Sequence, residues 1–122
     1  MTYEDFIHAK SQIGGRSGFK PNYMPDFLFD FQKSAVEWAI EKGRAAIYAD
    51  CGLGKTPMQL TWAQNCVEHT CKPCLILTPL SVAPQTVREG KKFNIECAQS
   101  RDGKVAAPIT VTNYQQLHKF DW

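Results

Sequence analysis

Apolar residues along this chain follow two patterns, one typical of helices and one typical of buried strands. Helical spacing predicts helices over residues 31–42, 57–67, 82–93 and 114–118. Short continuous apolar runs, typical of strands inside a parallel sheet, predict strands over residues 45–48, 74–77, 95–98 and 108–112. Because strands and helices alternate, we expect an α/β fold with a parallel sheet, right-handed crossovers and helices on both faces.

The clearest helix is the one over residues 31–42. Asp30 is a favourable N-cap and Gly43 a favourable C-terminal stop. Helical spacing assigns its apolar face to four residues, with Val36 and Ile40 widening the face. The four are Phe31, Ala35, Trp38 and Ala39. Later along the chain, Ser81 and Asn113 are predicted to cap the helices that follow them.

The stretch with the most specific chemistry is Ala49–Thr56, between the predicted strand 45–48 and the helix from Pro57. A strand, a glycine-bearing loop, Lys-Thr and a helix are the context of a phosphate-binding loop, the Walker A motif. Glycines allow close approach to phosphates, and the unpaired N–H groups at a helix start suit a polyphosphate. The sequence therefore predicts ATP and Mg²⁺ as cofactors. The candidate binding residues are Cys51, Gly52, Leu53, Gly54, Lys55 and Thr56.

Within this loop, Lys55 is expected to reach the β- and γ-phosphates and Thr56 to ligate Mg²⁺, which makes them the candidate catalytic pair. Ala49 stands where the strict motif has Gly, and it is the smallest replacement. Pro57 is tolerated because N–H groups in a first helical turn have no intrahelical partner. The alternative interpretation is a chance Gly-Lys-Thr on a surface loop.

Gln32 leaves two interpretations open. Its amide offers a donor and an acceptor together, which suits the edge of an adenine. The alternative is an ordinary exposed glutamine on a helix.

Composition and charge exclude some classes of protein but do not identify a reaction or a ligand. The net charge of +2 is too small to argue for a nucleic-acid partner by itself. No apolar run is long enough for a membrane span and the first residues do not resemble a signal peptide, so we expect no membrane partner and a cytoplasmic location. The odd number of cysteines, five, argues against a disulfide framework. Cys71 and Cys74 have the spacing of a zinc or redox pair, which Cys66 and His69 could complete, but buried or incidental thiols are the favoured interpretation.

Four segments occur in an order that resembles a known family. They are Phe31-Gln32 at a helix start, the Ala49–Thr56 loop, Leu77–Val82 followed by Gln85, and Ile109–Tyr114 followed by Leu117. In this order they resemble the first RecA-like motor domain of superfamily 2 helicases, close to DEAD/DEAH-box and Swi/Snf-type DNA-dependent ATPases of phages and prophages. The resemblance covers about residues 28–118. It divides the chain into an N-terminal extension, residues 1–27, and a partial RecA-like ATP-binding domain, residues 28–122.

The resemblance implies roles for individual residues. Gln32 matches the adenine-binding glutamine, and Phe19 or Phe29 is implied as an aromatic platform for the base. Other residues match the segments that contact the nucleic-acid backbone, with DNA favoured over RNA. These are Thr78, Pro79, Ser81, Thr112 and Asn113.

One departure from the family is large. Such motors need an Asp-Glu pair after an apolar strand to hold Mg²⁺ and activate water, and the only adjacent acidic pair here is Glu4-Asp5. We therefore expect a domain truncated before the Walker B strand, either as part of a longer helicase that hydrolyses ATP or as a short form. The second hypothesis is a non-catalytic decoy or inhibitor in phage–host conflict, working in a bacterial or phage-infected cell. In either case the open sheet edge favours self-association or a protein partner.

Overall fold

The computed structural model describes residues 2–3, 17–48 and 55–120. Along the two longer ranges, two helices come first, a third helix lies between the first two strands, and the last two strands follow one another without a helix between them. The elements are α1 (Asp30–Lys42), α2 (Lys55–Thr70), β1 (Cys74–Leu77), α3 (Ala83–Lys92), β2 (Cys97–Gln99), β3 (Ile109–Thr112) and a 3-10 helix (Tyr114–Lys119). In this part of the chain no helix is long and apolar enough to cross a bilayer.

The three strands form one parallel sheet in the order β1-β3-β2. Leu77 of β1 lies opposite Thr112 of β3, and Gln99 of β2 lies opposite Val111. The predicted α/β fold with a parallel sheet is therefore confirmed. The strand predicted over residues 95–98 begins later, at Cys97, because the N–H of Ile95 bonds instead to the Gly90 carbonyl of α3 at 2.8 Å.

The helices that contact the sheet, α2 and α3, lie on one face and contact each other. Both contribute to a single core whose members are at most 3% exposed, and a fully buried Leu, Ile or Val side chain is worth about 1.5–3 kcal/mol. The core residues are Leu60, Ala63, Ile76, Ala83, Ile95, Ile109 and Val111.

The prediction of helices on both faces is not met among the described residues. The chain passes from β1 through α3 to β2, and then returns to β3 between them. Right-handed crossovers in opposite directions lie on opposite faces. The return connection, residues 100–108, contains no helix, so the second face receives a loop.

The strand predicted over residues 45–48 is also not formed. These residues are irregular and exposed, with Tyr48 at 97%. Isoleucine and tyrosine suit a strand, but a strand exists only where a neighbour completes its hydrogen-bonded ladder. The three observed strands pair with one another, and residues 45–48 pair with none of them.

Helix α1 buries only part of the face predicted for it: Val36, Ala39 and Ile40 are buried as expected. Phe31 and Trp38 are about half exposed, at 51% and 48%. The buried residues, Gln32, Val36, Ala39 and Ile40, keep the same i, i+4, i+7, i+8 spacing one position further along. Val36 and Ile40 pack with Met58 and join α1 to α2.

The ends of the helices agree with the prediction in part. Gly43 ends α1 with a φ of +88°, and its N–H bonds to the Ala39 carbonyl at 3.1 Å. Asp30 is instead the first residue of α1, where its charge suits the helix dipole, and Phe29 holds the N-cap position. Ser81 does not cap α3, because Val82 occupies that position without a side-chain hydrogen bond.

Before α1, the chain runs back along the end of that helix. Three consecutive N–H groups, from Ser17 to Phe19, donate to the last carbonyls of α1, Lys42 to Ile40, at 3.0–3.2 Å. Gly18 is needed here because a Cβ would collide with the Ile40 carbonyl oxygen. This contact satisfies carbonyl groups that a helix end leaves without intrahelical partners.

A single buried side chain fastens the next part of this segment to α2. The Asn65 carbonyl oxygen accepts hydrogen bonds from the backbone N–H groups of Asn22 and Tyr23, both at 2.8 Å. Its amide nitrogen donates to the carbonyls of Tyr23 at 2.7 Å and Thr61 at 2.8 Å. Asn65 is completely buried, and all four of its hydrogen-bonding positions are used.

We expect Asn65→Ala to lower the free energy of unfolding by about 3 kcal/mol, because it leaves buried N–H and C=O groups without partners. Urea unfolding followed by circular dichroism measures this loss. The matched control is Gln64→Ala, which removes an exposed hydrogen bond to Glu68 on the same helix and should change stability by less than about 0.5 kcal/mol. Equal effects of the two substitutions would show that the Asn65 contacts contribute little.

Candidate functional site

The predicted nucleotide site begins at the N-terminus of α2. Lys55 is the first residue of this helix and is exposed, and Thr56 is the second and half-buried. The helix predicted from residue 57 is confirmed, and it begins two residues earlier. Pro57 lies in its first turn, as expected. The other loop residues assigned to nucleotide binding, Cys51–Gly54, lie outside the described residues, as does Ala49.

A cavity of about 420 Å³ lies beside the first turns of α2. Its walls are largely apolar, and Lys55 and Gln59 are the polar residues among those that line it. The lining residues are Ala39, Ala45, Ile47, Lys55, Met58, Gln59 and Trp62. Concave apolar sites with a few polar groups are where proteins bind small ligands.

The sequence interpretation did not single out Gln59 or Trp62. Their spacing from Lys55, at i+4 and i+7, was the available indication, since such positions share one face of a helix.

The Gln32 side chain is buried and hydrogen-bonded. It is 5% exposed, and its Oε1 accepts a hydrogen bond from the backbone N–H of Phe29 at 2.9 Å. The interpretation as an ordinary exposed glutamine is therefore wrong. The amide is held in place at the start of α1, and its assignment to adenine stays a prediction.

The two aromatic candidates for a base platform differ in exposure. Phe19 is half-buried, and its ring stacks on that of His69 at a centroid distance of 3.8 Å. Phe29 is 69% exposed beside Phe31, with ring centroids 6.1 Å apart. Of the two, Phe29 offers the accessible ring.

The loops that follow β1 and β3 share one edge of the sheet. Thr78 follows β1 and Thr112 ends β3, and the Thr78 N–H donates to the Thr112 carbonyl at 2.9 Å. We call this side of the sheet the carboxyl edge.

The residues assigned to nucleic acid at this edge divide by exposure. Pro79 and Ser81 are exposed. Thr78, Thr112 and Asn113 are buried, at 6%, 1% and 5% exposure. The buried three are therefore poorly placed for direct contact with a phosphate through their side chains.

Only some of the buried polar atoms at this edge have hydrogen-bond partners. The Thr78 hydroxyl donates to the Pro79 carbonyl at 3.1 Å, and the Asn113 amide donates to Gln115 Oε1 at 2.6 Å. Three buried oxygens nearby have no partner within the described part of the chain: Thr112 Oγ1, Asn113 Oδ1 and Gln116 Oε1. A buried polar atom without a partner costs about 1–3 kcal/mol, so a group that donates hydrogen bonds here would stabilise the edge.

The cysteines lie in dissimilar surroundings. Cys71 is exposed just after α2, whereas burial, and then the neighbouring Cys66, raise the pKa of Cys74 to about 11. Burial also raises the pKa of Cys66. Within the ranges that the structure describes, no group of three His, Cys, Asp or Glu residues is arranged to hold a metal ion.

Comparison with known proteins adds no assignment. No protein-family model matches the chain, and no curated protein matches it significantly.

The raised pKa of Cys74 makes stability depend on pH. A thiol that ionises at about 9 in the unfolded chain and about 11 in the fold keeps its stabilising effect below pH 9 and loses it as pH rises to 11. We expect the free energy of unfolding to fall by about 2–3 kcal/mol across this interval. Urea titrations of wild type, Cys74→Ala and, as the control, Cys71→Ala measure it. The dependence should weaken only in Cys74→Ala, and an unchanged dependence there would contradict the prediction.

Proposed function

We propose that this chain is the ATP-binding portion of a DNA helicase or translocase, whose full form is a DNA-dependent ATPase. The observation that carries the proposal is the position of Lys55 and Thr56 as the first two residues of α2. In the sequence they complete a glycine-bearing loop of the Walker A type. Residues 45–48, which precede this loop, are irregular, whereas a loop of the Walker A type normally follows a strand.

The residues present fit a nucleotide and Mg²⁺ at this position. The Lys55 ammonium is exposed, so it can approach the β- and γ-phosphates, and the Thr56 hydroxyl is a hard oxygen ligand of the kind Mg²⁺ prefers. The N–H groups of the first turn of α2 add a partial positive charge. Bound Mg²⁺ would neutralise charge on the phosphates.

The apolar cavity beside Lys55 supports the same proposal. A nucleotide joins an anionic chain to a flat, weakly polar base, and this place combines a cationic helix start with apolar walls. Gln32 and Phe29 lie together at the start of α1, as a base-recognition pair would require.

The carboxyl edge of the sheet supports the nucleic-acid part of the proposal. Ligands of open parallel sheets bind at the carboxyl ends of strands. Pro79 and Ser81 are exposed there, and the start of α3 adds N–H groups that suit a phosphate. We therefore expect these groups to contact only the sugar-phosphate backbone of the nucleic acid, and such contacts do not distinguish one base sequence from another.

A second candidate function is a non-catalytic binding protein that acts as a decoy or inhibitor. The observation that favours it is the outer edge of β1, which is not paired within the described part of the sheet. Unpaired strand edges readily accept a strand from another chain. This function predicts tight partner binding that ATP does not change.

We expect Lys55→Ala to weaken ATP binding by about 10-fold or more, because a hydrogen bond to a charged group contributes about 1.5–3 kcal/mol. Calorimetric titration with ATP and Mg²⁺ measures the affinity. Lys72→Ala removes the same charge from an exposed position before β1 and should bind ATP as wild type does. An unchanged affinity in Lys55→Ala would disprove the nucleotide site.

A further inference from the structure

One apolar face of α1 remains largely exposed. Phe31 and Trp38 are seven residues apart, which places them on the same face of the helix, and both are about half exposed. Just before the helix, the Phe29 side chain is 69% exposed and that of Phe27 is 38% exposed. Single exposed apolar side chains are ordinary, but several large rings in one place mark a surface that binds another molecule.

Ring contacts connect these side chains. The rings of Phe29 and Phe31 stack with their centroids 6.1 Å apart. Phe27 stacks on Phe93, the residue that follows α3, with a centroid distance of 4.4 Å. Phe27 and Phe29 flank Leu28, whose side chain is buried and anchors this stretch. We call the set Phe27, Phe29, Phe31, Trp38 and Phe93 the aromatic patch.

Charges of both signs border the aromatic patch. The Asp26 carboxylate, directly before Phe27 in the chain, is fully exposed and lies 3.9 Å from the Lys33 ammonium. An exposed ion pair contributes little, so the Asp26 charge is available to another molecule. The Lys92 ammonium lies 5.5 Å from the centroid of the Phe93 ring. One carboxylate and one ammonium therefore accompany the same pair of stacked rings.

A surface of this kind is complementary to itself. In a dimer with a twofold axis every contact occurs twice, because each copy offers the same patch to the other. Where the stacked rings of two copies meet, Asp26 of each copy can face Lys92 of the other. A partner that carries one sign of charge would be repelled by part of this border. The mixed charges therefore favour a second copy of the chain over an acidic or a basic protein.

We propose that the aromatic patch is the interface of a symmetric dimer of this chain, in which Asp26 of one copy pairs with Lys92 of the other. This dimer does not depend on the proposed function. The exposed parts of the rings of Phe27, Phe29, Phe31 and Trp38 amount to roughly 400 Å². A stable interface buries about 800 Å² on each partner. We therefore expect a weak dimer that forms only at high protein concentration.

The test exchanges the two charges. Asp26→Lys sets two ammonium groups against each other across the interface, and Lys92→Glu sets two carboxylates against each other. Each variant alone should dimerise about 10-fold more weakly than wild type, or worse, because like charges repel there. An equimolar mixture of the two variants should dimerise as wild type does, since both opposite-charge contacts are restored. Sedimentation equilibrium in low salt and without nucleotide measures the dissociation constants.

Two further variants test the rings and control for charge. Phe31→Gln removes apolar surface from the patch and should weaken the dimer by about 5-fold or more. Lys72→Glu reverses a charge at an exposed position before β1, outside the patch, and should leave the dissociation constant unchanged. Circular dichroism checks that each variant remains folded. If Phe31→Gln does not fold, the two charge variants, which alter exposed residues, still decide the question.

Three results would overturn this interface. They are a wild-type chain that stays monomeric at millimolar concentration, charge variants that dimerise as wild type does, and a mixture of variants that does not recover. The second result would indicate association through another surface, such as the outer edge of β1. None of the variants changes Lys55 or Phe29, and no nucleotide is present. Failure of the dimer and failure of the proposed nucleotide site are therefore separate results.

Discussion

The buried amide of Asn65 fastens the segment before α1 to the middle of α2. The segment before α1 forms no helix or strand between residues 17 and 29, so its backbone groups need partners from elsewhere. Asn65 supplies them from the middle of α2, and in doing so it places Tyr23 against the main core. A polar residue inside a helix is tolerated here because every one of its hydrogen-bonding positions is used.

Much of the fold could be predicted because local patterns determine it. Proline at the start of α3, glycine at the end of α1 and the apolar run of β1 each act within a few residues. The prediction of a strand over residues 45–48 was wrong because strand formation depends on a neighbouring strand, which local composition does not reveal. On α1, Val36, Ala39 and Ile40 are buried as the pattern indicated, whereas the large rings of Phe31 and Trp38 are about half exposed. The pattern alone does not show which members of a broad apolar face pack against a neighbour.

The parts of the candidate site that belong to a motif or to the end of a predicted strand could be predicted from the sequence. Lys55 and Thr56 come from a motif, and Thr78 and Thr112 come from the ends of predicted strands. Whether a side chain at such an end is accessible depends on packing, and this is why Thr112 and Asn113 proved buried. The stacking of Phe27 on Phe93 joins distant parts of the chain, and no short stretch of sequence contains that information.

Helix α2 has one more consequence. Lys55 and Asn65 lie ten residues apart on it, which corresponds to about 15 Å along a straight rod. The first turn is the proposed phosphate site and packs on α1 through Met58, while Asn65 in the middle is tied to the segment before α1. A rotation of α2 at its first turn would therefore also move α1 and that segment.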